Sequence, residues 1–172
     1  MIFSDLVSKV WSRFRKRQGP VSMVLLLRKP SFLRMDGLSA AVERGWGLSS
    51  IDQGPDNFVT QSGNKGLVYV KPHLIGLLTS NRPYLGVDPT EHSKMFFQAD
   101  QRKAWSEHDA WISLDYVRGG RDFALEYSAL ARLAAELLDE SCSGLYIPRE
   151  SSLIPNDSFL LGELKHMALK TS

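Results

Sequence analysis

Few side chains in this chain are placed to do chemistry. The four histidines are His73, His92, His108 and His166. No two stand at the short spacing of a zinc-binding pair, and the lone Cys142 cannot complete a thiolate set. Neither a metal nor another cofactor is therefore expected. Glu107-His108-Asp109 has the composition of an acid–base cluster, but adjacent residues on an extended chain point apart. The alternative is a solvated junction between helix and strand, with His108 packed at the strand start. Asp115 falls inside a predicted strand beside Ser113. A buried carboxylate there would need a partner, with Arg118 or Arg121 the candidates, and would have a shifted pKa. The other reading is a half-exposed strand residue. His108 and Asp115 are thus the candidate catalytic residues. Cys142 follows a predicted helix C-terminus, the wrong end of the dipole to favour a thiolate. Gly63 to Gly66 make no phosphate loop, because no Lys-Ser/Thr and no helix follow. Trp11, Trp46, Trp105 and Trp111 read as core rather than as ligand-stacking platforms.

The stretch that must position these candidates is His108 to Pro148, read as strand, turn, helix and strand. In Ala110–Val117, Ile112, Leu114 and Tyr116 share one face, and Trp111, Ser113, Asp115 and Val117 share the other. Gly119 and Gly120 release the chain, and Asp122 is placed to cap a helix. Phe123, Tyr127, Leu130, Ala134 and Leu137 then recur as one helical stripe, widened by Leu133 and Leu138, with Ala131, Ala134 and Ala135 allowing close approach to a sheet and Glu126 mostly away from it. Leu145–Ile147 is a second strand, stopped by Pro148. A strand–helix–strand unit of this length predicts parallel strands in one sheet.

Before this unit, Ser22–Arg28 reads as an internal apolar strand, followed by a short helix capped by Asp36 and running to Trp46, with Leu38, Ala41, Val42 and Gly45 as its buried stripe. Phe58–Gln61 and Leu67–Leu78 read as a hairpin, with Pro72 implying an edge, a bulge or a split near Lys71-Pro72. A helix is predicted from Thr90 to about Glu107. After it and the central unit, Arg149–Pro155 reads as a loop. A last helix, capped by Asn156 or Asp157, presents Phe159, Leu160, Leu164 and Met167. The fold class is α+β: a single mixed sheet of about five strands, helices mainly on one face, order α-βαββ-αβαβα.

At 172 residues the chain is long enough for one self-sufficient core. Residues 20–172 form the single α+β domain, and residues 1–19 an amphipathic helix with its linker. In that helix Ile2, Phe3, Leu6, Val7, Val10, Trp11 and Phe14 recur at helical spacing. Lys9, Arg13, Arg15, Lys16 and Arg17 stand against Asp5. Since the whole chain carries only +2, the domain proper is slightly acidic, which argues against a nucleic-acid face. No apolar run approaches the roughly 18 residues needed to span a bilayer. The single cysteine fits a reducing compartment. The expected location is cytoplasmic, with Phe3, Trp11, Arg13, Phe14, Arg15, Lys16 and Arg17 making partner contact or peripheral contact at the inner membrane surface. The other reading of residues 1–17 is a helix packed on its own domain.

From about Val21 to His166 the sequence resembles small uncharacterised bacterial proteins of a domain-of-unknown-function family. The matching features are the apolar strand Met23–Leu27, a polar–aliphatic strand preceded by His108, and a Leu/Ala-rich helix leading to Gly144-Leu145-Tyr146. The resemblance implies architecture and supplies no site. With no nucleophile–base or metal spacing, the expected function is a non-enzymatic module that binds a protein partner. The alternative is a small hydrolase or ligand-binding domain built on His108 and Asp115.

A chain starting at Pro20 tests the N-terminal segment. The truncated chain should still melt cooperatively and lose co-sedimentation with anionic vesicles, to which each basic residue near the surface contributes about 1 kcal/mol. A lost cooperative melt would place residues 1–17 in the core instead.

Overall fold

A computed structural model describes residues 21–30, 34–117 and 122–169 of the protein. Seven strands form one sheet: β1 (Ser22–Leu27), β2 (Asn57–Ser62), β3 (Lys65–Val70), β4 (His73–Ser80), β5 (Ala110–Tyr116), β6 (Cys142–Ile147) and β7 (Ser152–Pro155). Their spatial order is β2-β3-β4-β5-β1-β6-β7. The described helices are α1 (Met35–Trp46), α2 (Pro89–His92), α3 (Ala99–Ser106), α4 (Phe123–Leu137) and α5 (Leu160–Leu169). The helix expected in residues 1–17 lies outside the described residues.

Every neighbouring pair of strands is antiparallel. This corrects the expected mixed sheet, and the reason is the place of β1. It pairs antiparallel with both β5 and β6, so those two run in the same direction, as expected, but β1 lies between them. The count of about five strands is corrected to seven at two places. Val70 pairs with His73 across Lys71-Pro72, so the long second strand is two strands joined by a two-residue turn. Ser152–Pro155, read as loop, adds an edge strand to β6. It is short and ends in proline, a composition that sheet edges tolerate.

The alternation along β1 sets up two cores. Met23, Leu25 and Leu27 face the larger one, with Ile112, Leu114 and Tyr116 of β5 and the buried stripes of α1, α4 and α5. Val24 and Leu26 face the smaller one, with Phe96, Trp105, Tyr146 and Leu153. Helices therefore cover both faces, not mainly one: α3 lies across β6 and β7 on the second. The long helix expected from Thr90 is broken, because Phe96 adopts extended dihedrals and turns its ring into the smaller core. In α4 the buried surface is rotated from the expected stripe. Glu126 is buried and Phe123 is half exposed, its ring under the Arg149 guanidinium at 4.1 Å. The Asp122 cap forms as expected, accepting from Leu125 N–H at 3.2 Å. In α5, Leu160 and Leu164 are fully buried while Phe159 faces solvent.

β6 begins three residues before its expected start. A register shift in its pairing with β1 puts Cys142 opposite Leu27 and Gly144 opposite Leu26. The extra residue lets Cys142 and Leu145 face the same core. Gly144 is the most closely confined of the described glycines. A Cβ there would stand 2.9 Å from the Ile154 carbonyl oxygen and 3.2 Å from Leu153 Cδ1. The Gly144→Ala chain should therefore lose about 1–3 kcal/mol, read as a lower urea midpoint. An unchanged midpoint would mean that β7 moves aside freely.

Candidate functional site

The residues that sequence reasoning singled out lie on the second face of the sheet, and they do not converge. Asp115 and Ser22 are cross-strand partners in the β1–β5 pair. Ser22 Oγ donates to Asp115 Oδ1 at 2.5 Å, and Ser113 Oγ, two residues back on the same face, donates to Oδ2 at 2.9 Å. The carboxylate is 7% exposed and among the described residues forms no ion pair. Burial pushes its pKa up, and the two serine hydroxyls oppose that shift. Arg118 and Arg121, its expected partners, lie outside the described residues. Ser22 had no signal of its own, because register is fixed only when strands distant in sequence pair.

His108 lies at the other end of β5, about 20 Å from Asp115 by the rise of an extended chain. It is fully buried. The Tyr84 backbone N–H donates to its Nε2 at 3.0 Å, so Nδ1 carries the proton, which it donates to the Trp105 carbonyl. Both nitrogens are committed to backbone, and burial holds the ring's pKa below the ordinary histidine value. Such an imidazole is a structural clamp with no nitrogen left to take a substrate proton. Its neighbours in the old triplet diverge: Glu107 pairs with Arg28 at 3.0 Å, and Asp109 faces solvent.

Between these two points runs an aromatic cluster. Tyr84 meets Trp105, Trp111 and Tyr146 edge-on, and Phe96 packs on Trp105. Tyr84 and Phe96 thereby pin the ends of one surface stretch, residues 84–97, whose other large apolar side chains point outward. Phe97 is 96% exposed and Leu85 59%, and Val87 and Met95 are also exposed. Leu85 holds φ +65°, a left-handed conformation rare for a leucine. Arg102 Nη1 donates to the carbonyls of both Phe96 and Phe97, at 2.9 and 2.5 Å, and so fixes the backbone that carries the exposed ring. Sequence reasoning did not single out Phe97. The signal was the Phe96-Phe97 doublet, since on extended chain one ring buried turns the next outward.

Cys142 is fully buried, and burial pushes its thiol up to about 11, so it is neutral and inert. Among the described residues no three His, Cys, Asp or Glu side chains gather as a metal site, and no helix is long and apolar enough to cross a membrane. Phe3, Trp11, Arg13, Phe14, Arg15, Lys16 and Arg17 lie outside the described residues.

A carboxyl whose folded pKa is raised favours the native state below the unfolded pKa, near 3.9, and loses that contribution as pH rises through the folded value. Asp115→Asn removes the charge and keeps an acceptor oxygen for one serine. It should raise the melting midpoint at pH 7 by the equivalent of about 1 kcal/mol, with the gain vanishing towards pH 4. A lower midpoint at pH 7 would mean that the ionised carboxylate stabilises the fold. Comparison of this chain with protein-family models, with curated proteins and with solved structures finds no match.

Proposed function

We propose that this protein is a non-enzymatic interaction module that binds a protein partner through residues 84–97. The observation that carries the reading is Phe97, a large aromatic ring in solvent on a backbone gripped by Arg102. Interface hot spots are rigid anchors of this kind, and ordering them on binding costs little. Leu85 supports it. A leucine in the left-handed region costs roughly 1 kcal/mol, and backbone strain of this sort tends to persist where function requires the side chain. The partner would present an apolar groove, because the large apolar side chains exposed along the stretch are Leu85, Val87, Met95 and Phe97. In this reading residues 1–17 supply a second, peripheral contact with an anionic membrane surface. The small-hydrolase alternative lacks a constellation, since His108 and Asp115 stand at opposite ends of one strand with their polar atoms engaged.

Leu85→Gly separates binding from folding. Glycine accepts the left-handed dihedral, so this variant should be more stable by about 1 kcal/mol. It should nevertheless bind its partner more weakly. Phe97→Ser should leave stability within about 0.5 kcal/mol and weaken capture by tenfold or more. The measurement is quantitative cross-linking in the native host with wild type and both variants as baits. Identical partner recovery by all three would refute the proposed surface.

A further inference from the structure

On the opposite face of the sheet a cleft of about 270 Å³ opens between α4, the β3–β4 turn and the end of α1. Its polar side chains are Lys71, His73, Ser128 and Arg132, and Trp46 with Leu125 and Ala129 forms its apolar wall. The placement follows from local rules. Leu125, Ser128, Ala129 and Arg132 recur at spacings of three and four, so they share one stripe of α4. The two-residue turn puts Lys71 at its tip and His73 at the first position of β4. His73 has the same parity as Ile75 and Leu77, so it faces the helix layer.

The groups around the cleft are held, yet not all of their polar capacity is used. The Arg132 guanidinium lies over Trp46 at 5.7 Å from the ring centroid. One of its nitrogens donates to the Ala168 carbonyl at 3.2 Å, which fixes the planar group and leaves most of its donors over. His73 Nδ1 shares a 2.9 Å hydrogen bond with the Tyr116 hydroxyl, which sets the ring, while among the described residues Nε2 has no partner. Lys71 reaches Asp56 at 3.2 Å, but both ends of that pair are about two-thirds exposed. Such a tie is worth little and exchanges readily. On α4 the Glu136 carboxylate is already taken by Arg44 at 2.8 Å. Among the described residues that line the cleft, Lys71 and Arg132 are charged and none is a carboxylate, beside the Trp46 ring. The imidazole senses this charge: after burial, the Arg132 charge is the second cause that lowers the His73 pKa.

We propose that this cleft binds a small organic anion, a carboxylate or phosphate monoester on a single flat ring. Arg132 and Lys71 take the charge, His73 Nε2 adds a hydrogen bond, and the apolar wall of Trp46, Leu125 and Ala129 takes the ring. A guanidinium fork suits either oxyanion bidentately. The volume lies at the small end of ligand sites, so one ring fits and a nucleotide does not.

The test uses the full chain with NMR detection of the Trp46 indole and His73 ring resonances. Benzoate, phenyl phosphate and inorganic phosphate are the probes, and benzyl alcohol is the neutral control. Benzoate and phenyl phosphate should shift both resonances saturably, and benzyl alcohol should not. Lys71→Met and Arg132→Met should each weaken binding by about tenfold, with Arg132→Lys intermediate because it keeps charge and loses the fork. The Lys variant also keeps the test valid if losing the tie to Ala168 unfolds Arg132→Met. Three outcomes overturn the proposal: no saturable shift up to about 10 mM, shifts that survive both charge removals, or inorganic phosphate binding as tightly as phenyl phosphate. None of these variants touches residues 84–97, so failure here is separable from failure of the proposed partner surface.

Discussion

The structure depends on β1 being covered on all four sides. It is hydrogen-bonded to β5 along one edge and to β6 along the other, and both of its faces are buried. Met23, Leu25 and Leu26 are all fully excluded from solvent. Each such side chain contributes about 1.5–3 kcal/mol of transfer free energy, so this six-residue strand supplies a large part of both cores. Its partners come from the second half of the chain, which makes the fold rich in long-range pairing. Arg28, just past its end, reinforces the junction. Its guanidinium holds Glu107, the Glu140 carbonyl and the Cys142 carbonyl, drawing the start of β6 and the end of α3 to the same point.

The two faces treat their imidazoles, His108 buried and His73 half-buried, in opposite ways. His108, on the smaller core, has both nitrogens bound to backbone, and its task is to moor Tyr84 and thus the surface stretch that follows. His73, on the larger core, has one nitrogen fixed by Tyr116 and the other directed away from any described partner. A histidine with both nitrogens spent stabilises a fold. One held by a single nitrogen in a cleft with an arginine keeps a hydrogen bond for a ligand. Residue type is identical in the two cases, and only the surroundings differ.

The exposed stretch and the cleft lie on opposite faces of one sheet. The stretch gains its rigidity from Tyr84, Phe96 and Arg102, and the cleft from Tyr116, Trp46 and the end of α5. The buried Asp115 is close enough to Tyr84 for its charge to help raise the phenol's pKa, after burial and Tyr146. That carboxylate is held by Ser22 and Ser113 between two central strands, and its burial costs stability that two neutral hydroxyls only partly offset.

The sequence by itself determined what periodicity can determine. It placed the faces of β5, the Leu38, Ala41 and Val42 part of the α1 stripe and the cap at Asp122, and it held the cap at Asp157 and the split at Lys71-Pro72 among its alternatives, because each depends on residues a few positions apart. The cap expected at Asp36 does not form, since α1 starts before it. The tertiary structure decided what depends on distant partners. It inserted β1 between β5 and β6, giving an antiparallel sheet where local patterning implied a mixed one. It recruited Ser152–Pro155 as an edge strand and rotated α4 so that Glu126 turned inward. Site chemistry followed the same division. Sequence could name His108 and Asp115 as residues of interest, but strand register gave Asp115 its serines and a backbone amide from Tyr84 occupied His108. The cleft joins Trp46, His73 and Arg132 from three elements, and no spacing within one element could announce it.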